Sequence, residues 1–407
     1  MKNLKNILAT YRGLPREIYI LFVARIINCL GNFVYPLIAL IITLKIGLSS
    51  AKAGAIVTLI AVSQVPTLII GGKITDSIGR KKVIVIFQTL GAISYFICGF
   101  MKPSMLIIVV IIFAANCYSI SAPAYDAMLA EITTPKNRKS SYSLLYMGMN
   151  IGISVAPVVG GILYKDYLSL LFIGDAVTSI LSIIVMYIFV KETFKNKDIH
   201  MDKEKRKLEQ HEEGSVVSVL LKRPVLLYFS LIMLLYGFSY SQWVFTLPLQ
   251  MAHLFKANGA KFYGFVAGIN GLVVILFTPI ITTVLHKIKA LKAIAIGGIF
   301  YTLSFGMFGY INKLPMFFIS IFIMTLGEIM ISTNQGTFVA NHTPSSHRGR
   351  INSILPIISG TGYACGPMVM GNVSSSFGYT VTWTIISIIM LIGVIGNGLL
   401  GKLDTES

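Results

Sequence analysis

Apolar stretches of about twenty residues recur along the whole chain and are separated by short polar segments. A stretch of that length crosses the hydrocarbon core of a bilayer as an α-helix and is far too long for a strand of a membrane β-barrel. Only 12% of the residues are charged, roughly half the fraction typical of soluble domains. We therefore expect an all-α membrane protein. Twelve transmembrane helices are predicted, at about residues 18–44, 51–72, 83–101, 104–127, 141–164, 168–190, 224–250, 262–285, 290–310, 314–338, 351–374 and 379–401.

The basic residues are distributed unevenly between the two sides that these helices define. Of the 34 Lys and Arg residues, 26 fall on one side and seven on the other, with Arg25 inside the first span. Because short cytoplasmic loops carry the excess of Lys and Arg, the count predicts a multi-pass cell-membrane protein with both termini in the cytoplasm. The first run is too long for the apolar region of a signal peptide, so it is predicted to stay uncleaved. The formal net charge of +18 then reflects topology, and no nucleic-acid partner is expected.

One long polar segment divides the chain in two. Residues 191–223 mix both charge signs and contain no apolar run, which predicts a cytoplasmic linker between six-helix bundles at residues 1–190 and 224–407. An internal repeat supports the division, because a shift of 210 residues superimposes a cluster of identical residues around the fifth and eleventh spans. The matched pairs are Arg138 and Arg348, Ser143 and Ser353, Gly152 and Gly362, Pro157 and Pro367, Val159 and Val369, and Gly161 and Gly371.

The chain lacks the sequence signatures of common enzyme classes and of ATP-driven pumps. Its four cysteines, Cys29, Cys98, Cys117 and Cys365, fall inside apolar runs and are too dispersed for metal-ligand spacing, so neither a metal nor a disulfide framework is expected. There is no nucleotide-binding P-loop and no nucleophile motif. We therefore expect no cofactor and no enzymatic activity. A non-transporting receptor or scaffold remains an alternative, but it predicts large extramembrane domains, and residues 191–223 are the only long polar stretch.

A spaced motif occupies residues 71–82, between the second and third spans. Its glycines permit close backbone approach and positive φ, and its carboxylate can meet an arginine or a helix N-terminus. The plain interpretation is a basic loop that fixes topology. The spacing also resembles the G-x-x-x-D-x-x-G-R-[KR] loop that major facilitator superfamily transporters have at this place. The motif positions, which we call the switch loop, are Gly72, Asp76, Gly79 and Arg80.

The resemblance carries expectations about fold and mechanism. It implies two pseudo-symmetric six-helix bundles related by an axis along the membrane normal. It also implies alternating access, in which the two bundles rock about a substrate site near the middle of the membrane. Asp76 and Arg80 are then expected to hold the halves together on the cytoplasmic side in the outward-facing state.

The fifth span contains a second motif, made of small residues around a proline. Small residues permit close helix packing, and a proline frees a carbonyl and bends the helix. The pattern also resembles G-x-x-x-G-P-x-x-G-G, which in this superfamily is associated with proton-driven antiporters, chiefly drug exporters. Ala156 replaces the second glycine, and the fourth span lacks the arginine usual in drug antiporters, so that residue's role is not transferred. The matching positions are Gly152, Pro157, Gly160 and Gly161.

Four ionisable residues lie at membrane depth and are candidates for proton or ion coupling. They are Arg25, Asp126, Asp175 and Glu328. A charge at that depth is costly unless it is paired or hydrated. Glu328 lies about fourteen residues, or roughly 20 Å, into the tenth span. By resemblance the first, fourth, seventh and tenth spans line the central cavity, which Arg25, Asp126 and Glu328 then face. Three alternatives stay open: Asp126 pairs with Arg138, Glu328 pairs with Arg25, and Asp175 makes a structural hydrogen bond.

The residues expected to line the substrate cavity are aromatic or carry amides. Aromatic faces with few charges suit flat, amphipathic or cationic organic molecules. The same residues also occur in interfacial belts and as polar contacts between helices. The candidates are Asn28, Asn32, Tyr35, Tyr236, Tyr240 and Gln335, with Gln242, Trp243 and Asn334 beside them.

Together these patterns predict a secondary active transporter in the lipid bilayer. It is expected to act as a monomer and to export small amphipathic organic compounds or antibiotics in exchange for protons. The alternative with the same fold is a permease for metabolites, sugars or peptides, because the sequence encodes the substrate only weakly.

Overall fold

The computed structural model describes residues 11–134, 137–194, 224–285, 288–342 and 348–403. Both ends of the chain and most of the predicted linker, from residue 195 to 223, lie outside the described residues. Of the predicted linker, the structure describes only residues 191–194.

All six predicted spans before the linker are helical, and the first is interrupted. It consists of helices Arg16–Leu30 and Val34–Leu40 and a π-helical segment Ile41–Lys45. The other five helices are Ser50–Ile78, Arg80–Cys98, Met105–Ile132, Arg138–Leu163 and Leu168–Phe189.

The six spans after the linker are helical as well. The seventh and eighth, Pro224–Phe255 and Gly259–Leu285, are joined by a 3₁₀ turn at Lys256–Asn258. The ninth and tenth are Ala290–Phe308 and Leu314–His342. The eleventh and twelfth form the helical stretch Arg348–Leu403, which Gly378 interrupts with φ 75° and ψ 176°.

Ten helical stretches within the described residues are long and apolar enough to cross a membrane. Two of them, Pro224–Leu285 with 62 residues and Ile357–Lys402 with 46, are each long enough for two crossings and contain the breaks just described. The prediction of an all-α, multi-pass membrane protein with twelve spans is therefore confirmed.

The second span is longer than the sequence predicted. Its helix continues through Gly71 and Gly72 to Ile78, and the third helix begins at Arg80. Gly79 is therefore the only non-helical residue in the motif at residues 71–82. Gly79 has φ +103°, whereas Gly72 is helical and a Cβ added there has no neighbour within 4 Å. Of the three glycines, Gly79 has the positive φ and Gly71 makes the close backbone contact, with Ile120, whereas Gly72 has neither.

Contacts divide the chain into two compact units. Unit 1 comprises Met1–Leu48, Leu59–Lys195 and Phe255–Gly271, and unit 2 comprises Ser49–Thr58, Asn196–Leu254 and Leu272–Ser407. The start of the second span thus belongs to unit 2, and the start of the eighth span belongs to unit 1.

The starts of the second and eighth spans, which we call the exchanged segments, make contacts that follow the 210-residue repeat. Within unit 1, a Cβ added to Gly264 would overlap the carbonyl oxygen of Pro157. Within unit 2, a Cβ added to Gly54 would overlap the carbonyl oxygen of Pro367. Gly264 and Pro367 follow Gly54 and Pro157 by 210 residues each. The same shift relates the close contact of Gly161 with Ala260 to that of Gly371 with Ser50. The two halves therefore use equivalent contacts, as an internal duplication requires.

Candidate functional site

The switch loop is organised around the side chain of Arg80. Its guanidinium lies 3.4 Å from the Asp76 carboxylate and 3.0 Å from that of Glu131, and it donates to the carbonyl oxygen of Thr75 at 3.0 Å. The Arg80 side chain is only 13% exposed, while Asp76 is 74% exposed and Glu131 34%. Because an exposed ion pair is screened by water, Glu131 is the stronger of the two partners.

Sequence reasoning identified the Asp76–Arg80 pair but missed Glu131. The pair is separated by four residues and is visible in a local motif. Glu131 lies at the end of the fourth span, and only the packing of that span against the third brings it to Arg80. The available signal was its predicted position on the same side of the membrane as the switch loop.

Asp175 lies at a break in the first span. The helix stops at Leu30 and restarts at Val34, whose backbone N–H donates to Asp175 Oδ2 at 3.3 Å. A carboxylate at a helix N-terminus is stabilised by the unpaired N–H groups and the helix dipole. Asp175 is only 5% exposed. Asp175 thus makes a structural hydrogen bond to the first span, one of the two roles expected of it.

Within unit 1, a cavity of about 210 Å³ brings together two of the ionisable candidates. Arg25, Asn28 and Asp126 all line it, together with several tyrosines. The guanidinium of Arg138 donates instead to the backbone of residues 130 and 133 and to the hydroxyl of Thr133. Among the described residues no ion pair joins Arg138 to Asp126, so Asp126 belongs to the cavity.

Within unit 2, Glu328 lies beside a cluster of aromatic rings. The Tyr240 hydroxyl donates to Glu328 Oε1 at 2.8 Å. The Tyr240 ring stacks on Tyr301 with a centroid distance of 5.8 Å and an interplanar angle of 17°. Trp243 and Tyr363 lie 6.2 and 6.3 Å from the same ring. Trp243 is 8% exposed, so this cluster is an interior feature and not a belt at the lipid surface.

The remaining cavity candidates take different positions. Tyr236 is a core residue, with its ring against Gly298 and Gly393 and its hydroxyl 3.4 Å from the carbonyl oxygen of Ile294. Gln242 is fully buried and bonds to its own helix. Asn32 lies in the break of the first span, Tyr35 is 42% exposed, Gln335 is half-buried, and Asn334 lines a separate cavity of about 430 Å³ in unit 2.

The small residues of the fifth span pack on two neighbours rather than one. Gly152 lies against Cys29 and Gly160 against Phe33, both in the first span. Gly161 and Pro157 lie against the start of the eighth span. The plain interpretation of the motif, close helix packing, is therefore part of its role in unit 1.

Comparison with known proteins identifies the family. The model of the Major Facilitator Superfamily matches residues 21–344 and 259–405. The chain is 22% identical to a Na⁺, Li⁺, K⁺/H⁺ antiporter of Planococcus maritimus, over 78% of this chain and 80% of that protein. It is 24% identical to the class H tetracycline resistance protein of Pasteurella multocida, over 51% and 52% of the two chains.

Solved structures share the fold. A crystal structure of the peptide transporter POT in complex with sulfate superposes with a TM-score of 0.75 at 16% identity, covering 96% of both chains. At that identity the likeness shows the fold alone. The family model, in contrast, matches most of the chain, and the protein belongs to the major facilitator superfamily of membrane transporters.

Proposed function

We propose that the protein exports small, amphipathic organic compounds, cationic ones in particular, in exchange for protons. The observation that carries this proposal is the carboxyl group of Glu328, at membrane depth, hydrogen-bonded to Tyr240 and surrounded by aromatic rings. A carboxylate can hold a proton or attract a cation, but not both at once. Such mutual exclusion is the coupling that an antiporter needs.

The surroundings of Glu328 favour an organic cation. Aromatic faces attract cations through their quadrupole and add apolar contact area. Tyr240, Tyr301 and Trp243 supply three aromatic rings to the cluster beside Glu328. A small hydrated ion gains less from rings, because it must replace its water shell with several oxygen ligands. The similarity to a monovalent cation/proton antiporter makes Na⁺ the second candidate substrate.

Unit 1 supplies a second polar site. Its cavity combines a positive and a negative side chain, Arg25 and Asp126, with the amide of Asn28. By resemblance to the family, the first and fourth spans face the substrate pathway. We assign these residues to substrate or proton passage, and Asp175 to the support of the broken first span.

Orientation follows from the distribution of basic residues. From the excess of Lys and Arg on one side we infer that both termini and residues 191–223 lie in the cytoplasm of the cell. Antiport then uses the inward proton gradient to drive export, with the two halves alternating in access.

A susceptibility panel tests the proposal directly. An efflux-deficient bacterial host expressing the chain is challenged with antibiotics, amphipathic cationic dyes and NaCl, with and without a protonophore. We expect about fourfold or greater protection against a subset of the organic cations, which disappears with the protonophore. Protection against NaCl alone would favour the second candidate. Protection that persists with the protonophore would contradict proton coupling.

A further inference from the structure

The third span begins at a helix N-terminus that lacks a capping side chain of its own. Gly79 precedes the helix Arg80–Cys98 and has no side chain to bond the first N–H groups. These groups have no partner within the helix. A buried or half-buried helix start therefore needs an acceptor from elsewhere in the chain.

Glu192 supplies that acceptor. Its carboxylate accepts from the backbone N–H of Arg80 at 3.1 Å and from that of Lys81 at 3.1 Å. It also accepts from the N–H groups of Thr193 and Phe194, both at 3.0 Å. Glu192 follows the end of the sixth span at Phe189, so one side chain joins the exit of that span to the switch loop.

The charge of Glu192 is part of this arrangement. Partial burial acts to raise its pKa, but the hydrogen bonds from residues 194, 81, 80 and 193 outweigh that effect and hold the pKa below its ordinary value of 4.5. A lowered pKa means that the stabilisation is fully present above pH 4.5 and is lost as the pH falls below it. At neutral pH the group is a carboxylate facing a helix N-terminus, where a negative charge is favoured.

The same segment also covers Arg80. The ring of Phe194 lies 5.0 Å from the guanidinium carbon of Arg80, on the face of the ring. The backbone of Arg80 is thus held by Glu192, while its side chain is held by Asp76, Glu131 and Phe194. Gly79 leaves room for this contact, because a Cβ there would lie 2.9 Å from Glu192 Oε2.

We propose that Glu192 is a positioning residue of the switch loop, which acts on the transport cycle through Arg80 and couples the first residues of the linker to that loop. The inference rests on the proposed role of Arg80 in holding the predicted cytoplasmic side closed. Without the Glu192 carboxylate, the backbone of Arg80 is no longer fixed. The Arg80 side chain is then less well positioned to contact Asp76 and Glu131. The closed state should then become less populated, which is also the expected result of removing Arg80 itself.

The test measures access to the cavity of unit 1 in the full-length chain. Met149, which lines that cavity, is replaced by cysteine after the native cysteines are removed. Inverted membrane vesicles are treated with a membrane-impermeant maleimide, and the labelling rate is followed. The variants are Glu192→Ala, Glu192→Gln, Arg80→Ala and the Glu192→Ala/Arg80→Ala double variant, with Lys191→Ala, an exposed neighbour, as the control.

We expect Glu192→Ala and Arg80→Ala each to raise the labelling rate several-fold, and the double variant to be no faster than the faster single variant. Non-additivity of this kind indicates that two residues act through one contact network. Glu192→Gln, which keeps one oxygen acceptor, should have a smaller effect, and Lys191→Ala none. If Glu192→Ala is poorly inserted, Glu192→Gln carries the comparison.

Two results would overturn the inference while leaving the switch loop intact. One is a wild-type labelling rate in Glu192→Ala and Glu192→Gln when Arg80→Ala is fast. The other is full additivity in the double variant. A wild-type rate in Arg80→Ala would instead remove the proposed role of the switch loop, and the role of Glu192 with it. Proton-coupled export would still be judged separately by the susceptibility panel.

Discussion

The hydrogen bond from Tyr240 to Glu328 gives the buried carboxyl a defined neighbour in unit 2. Two roles of this residue are compatible with that bond: a proton-binding site, or a permanent ion-pair partner of Arg25. In the first role the carboxyl must gain and lose a proton in each cycle. In the second it must stay charged throughout.

Substitution of Glu328 by glutamine separates these roles. Glutamine keeps the size of the side chain and an oxygen that can accept from Tyr240, but it cannot titrate. We expect Glu328→Gln to reduce active export at least about tenfold, equivalent to about 1.4 kcal/mol. Substrate binding by the purified protein should at the same time lose its dependence on pH, because the titrating carboxyl is gone.

The ion-pair role makes the opposite prediction. Glu328→Gln would then lower the unfolding temperature, and the additional change Arg25→Gln would restore both stability and export, since neither charge is left unpaired. Tyr240→Phe serves as the matched control, because it removes the hydrogen-bond donor and keeps the ring. A Glu328→Gln protein that still exports against a gradient would exclude the proton-site role.

Single residues also show what the sequence could and could not predict. The pair Asp76 and Arg80 was predictable because both residues belong to one helical turn and one motif. Glu131 and Glu192 bind the same arginine from 51 and 112 residues away. Such contacts depend on how separate helices pack, and no local pattern records them. Tyr236, predicted at the cavity from its residue type, lies in the core instead.

At the scale of elements, the first span differs most from its prediction. Residues 18–44 read as one continuous apolar helix, but the chain leaves the helix at Gly31 and re-enters it at Val34. The break is stabilised by Asp175, which is 141 residues distant and accepts a hydrogen bond from the backbone N–H of Val34, where the helix begins again. The sixth span therefore supports the first, and hydropathy alone could not reveal this.

The exchanged segments of the second and eighth spans permit a matched test of the internal repeat. Gly54→Ala and Gly264→Ala each place a methyl group against a backbone carbonyl, and a forced backbone shift costs about 1–3 kcal/mol. Gly72→Ala adds the same methyl group in an open position of a helix, where alanine is favoured by about 0.5–1 kcal/mol. Thermal unfolding of the purified variants measures these effects.

We expect the first two variants to unfold at lower temperature by similar amounts and the third to match or exceed the wild type. Similar losses at Gly54 and Gly264 would follow from their equivalent contacts in the two halves. Equal destabilisation of all three variants would show instead that the close contacts with backbone carbonyls do not determine the change in unfolding temperature. A loss at Gly264 with none at Gly54 would contradict the equivalence of the halves.

At the scale of the whole molecule, composition determined more than any motif. Twelve apolar runs were sufficient to predict the class of fold, because a bilayer accepts few alternatives to helices. The ends of the helices were less predictable, since polar residues such as Lys73 and Asp76 continue the second span past its apolar part. The units that contacts define also exchange the starts of two spans, a feature that follows from packing and not from hydropathy.

Energy coupling is the property of the whole molecule that the proposed function requires. Inverted vesicles containing the protein are loaded with a pH gradient, acid inside, and followed with a pH-sensitive dye. A substrate found in the susceptibility panel is then added without ATP. Because antiport exchanges protons for substrate, we expect the gradient to fall on addition, with a rate that saturates as the substrate concentration rises.

Three variants show which residues this proton movement depends on. Glu328→Gln should abolish the substrate-induced proton movement if that carboxyl carries the proton, while Lys81→Gln, next to the switch loop, should leave it intact. Arg80→Ala should slow it through the conformational step without changing the number of protons moved per substrate.

Uptake at full rate with the gradient collapsed, or only with ATP present, would contradict proton antiport. Protons that leave the vesicles only together with preloaded substrate would point to symport, and the role of Glu328 would then be to bind proton and substrate together.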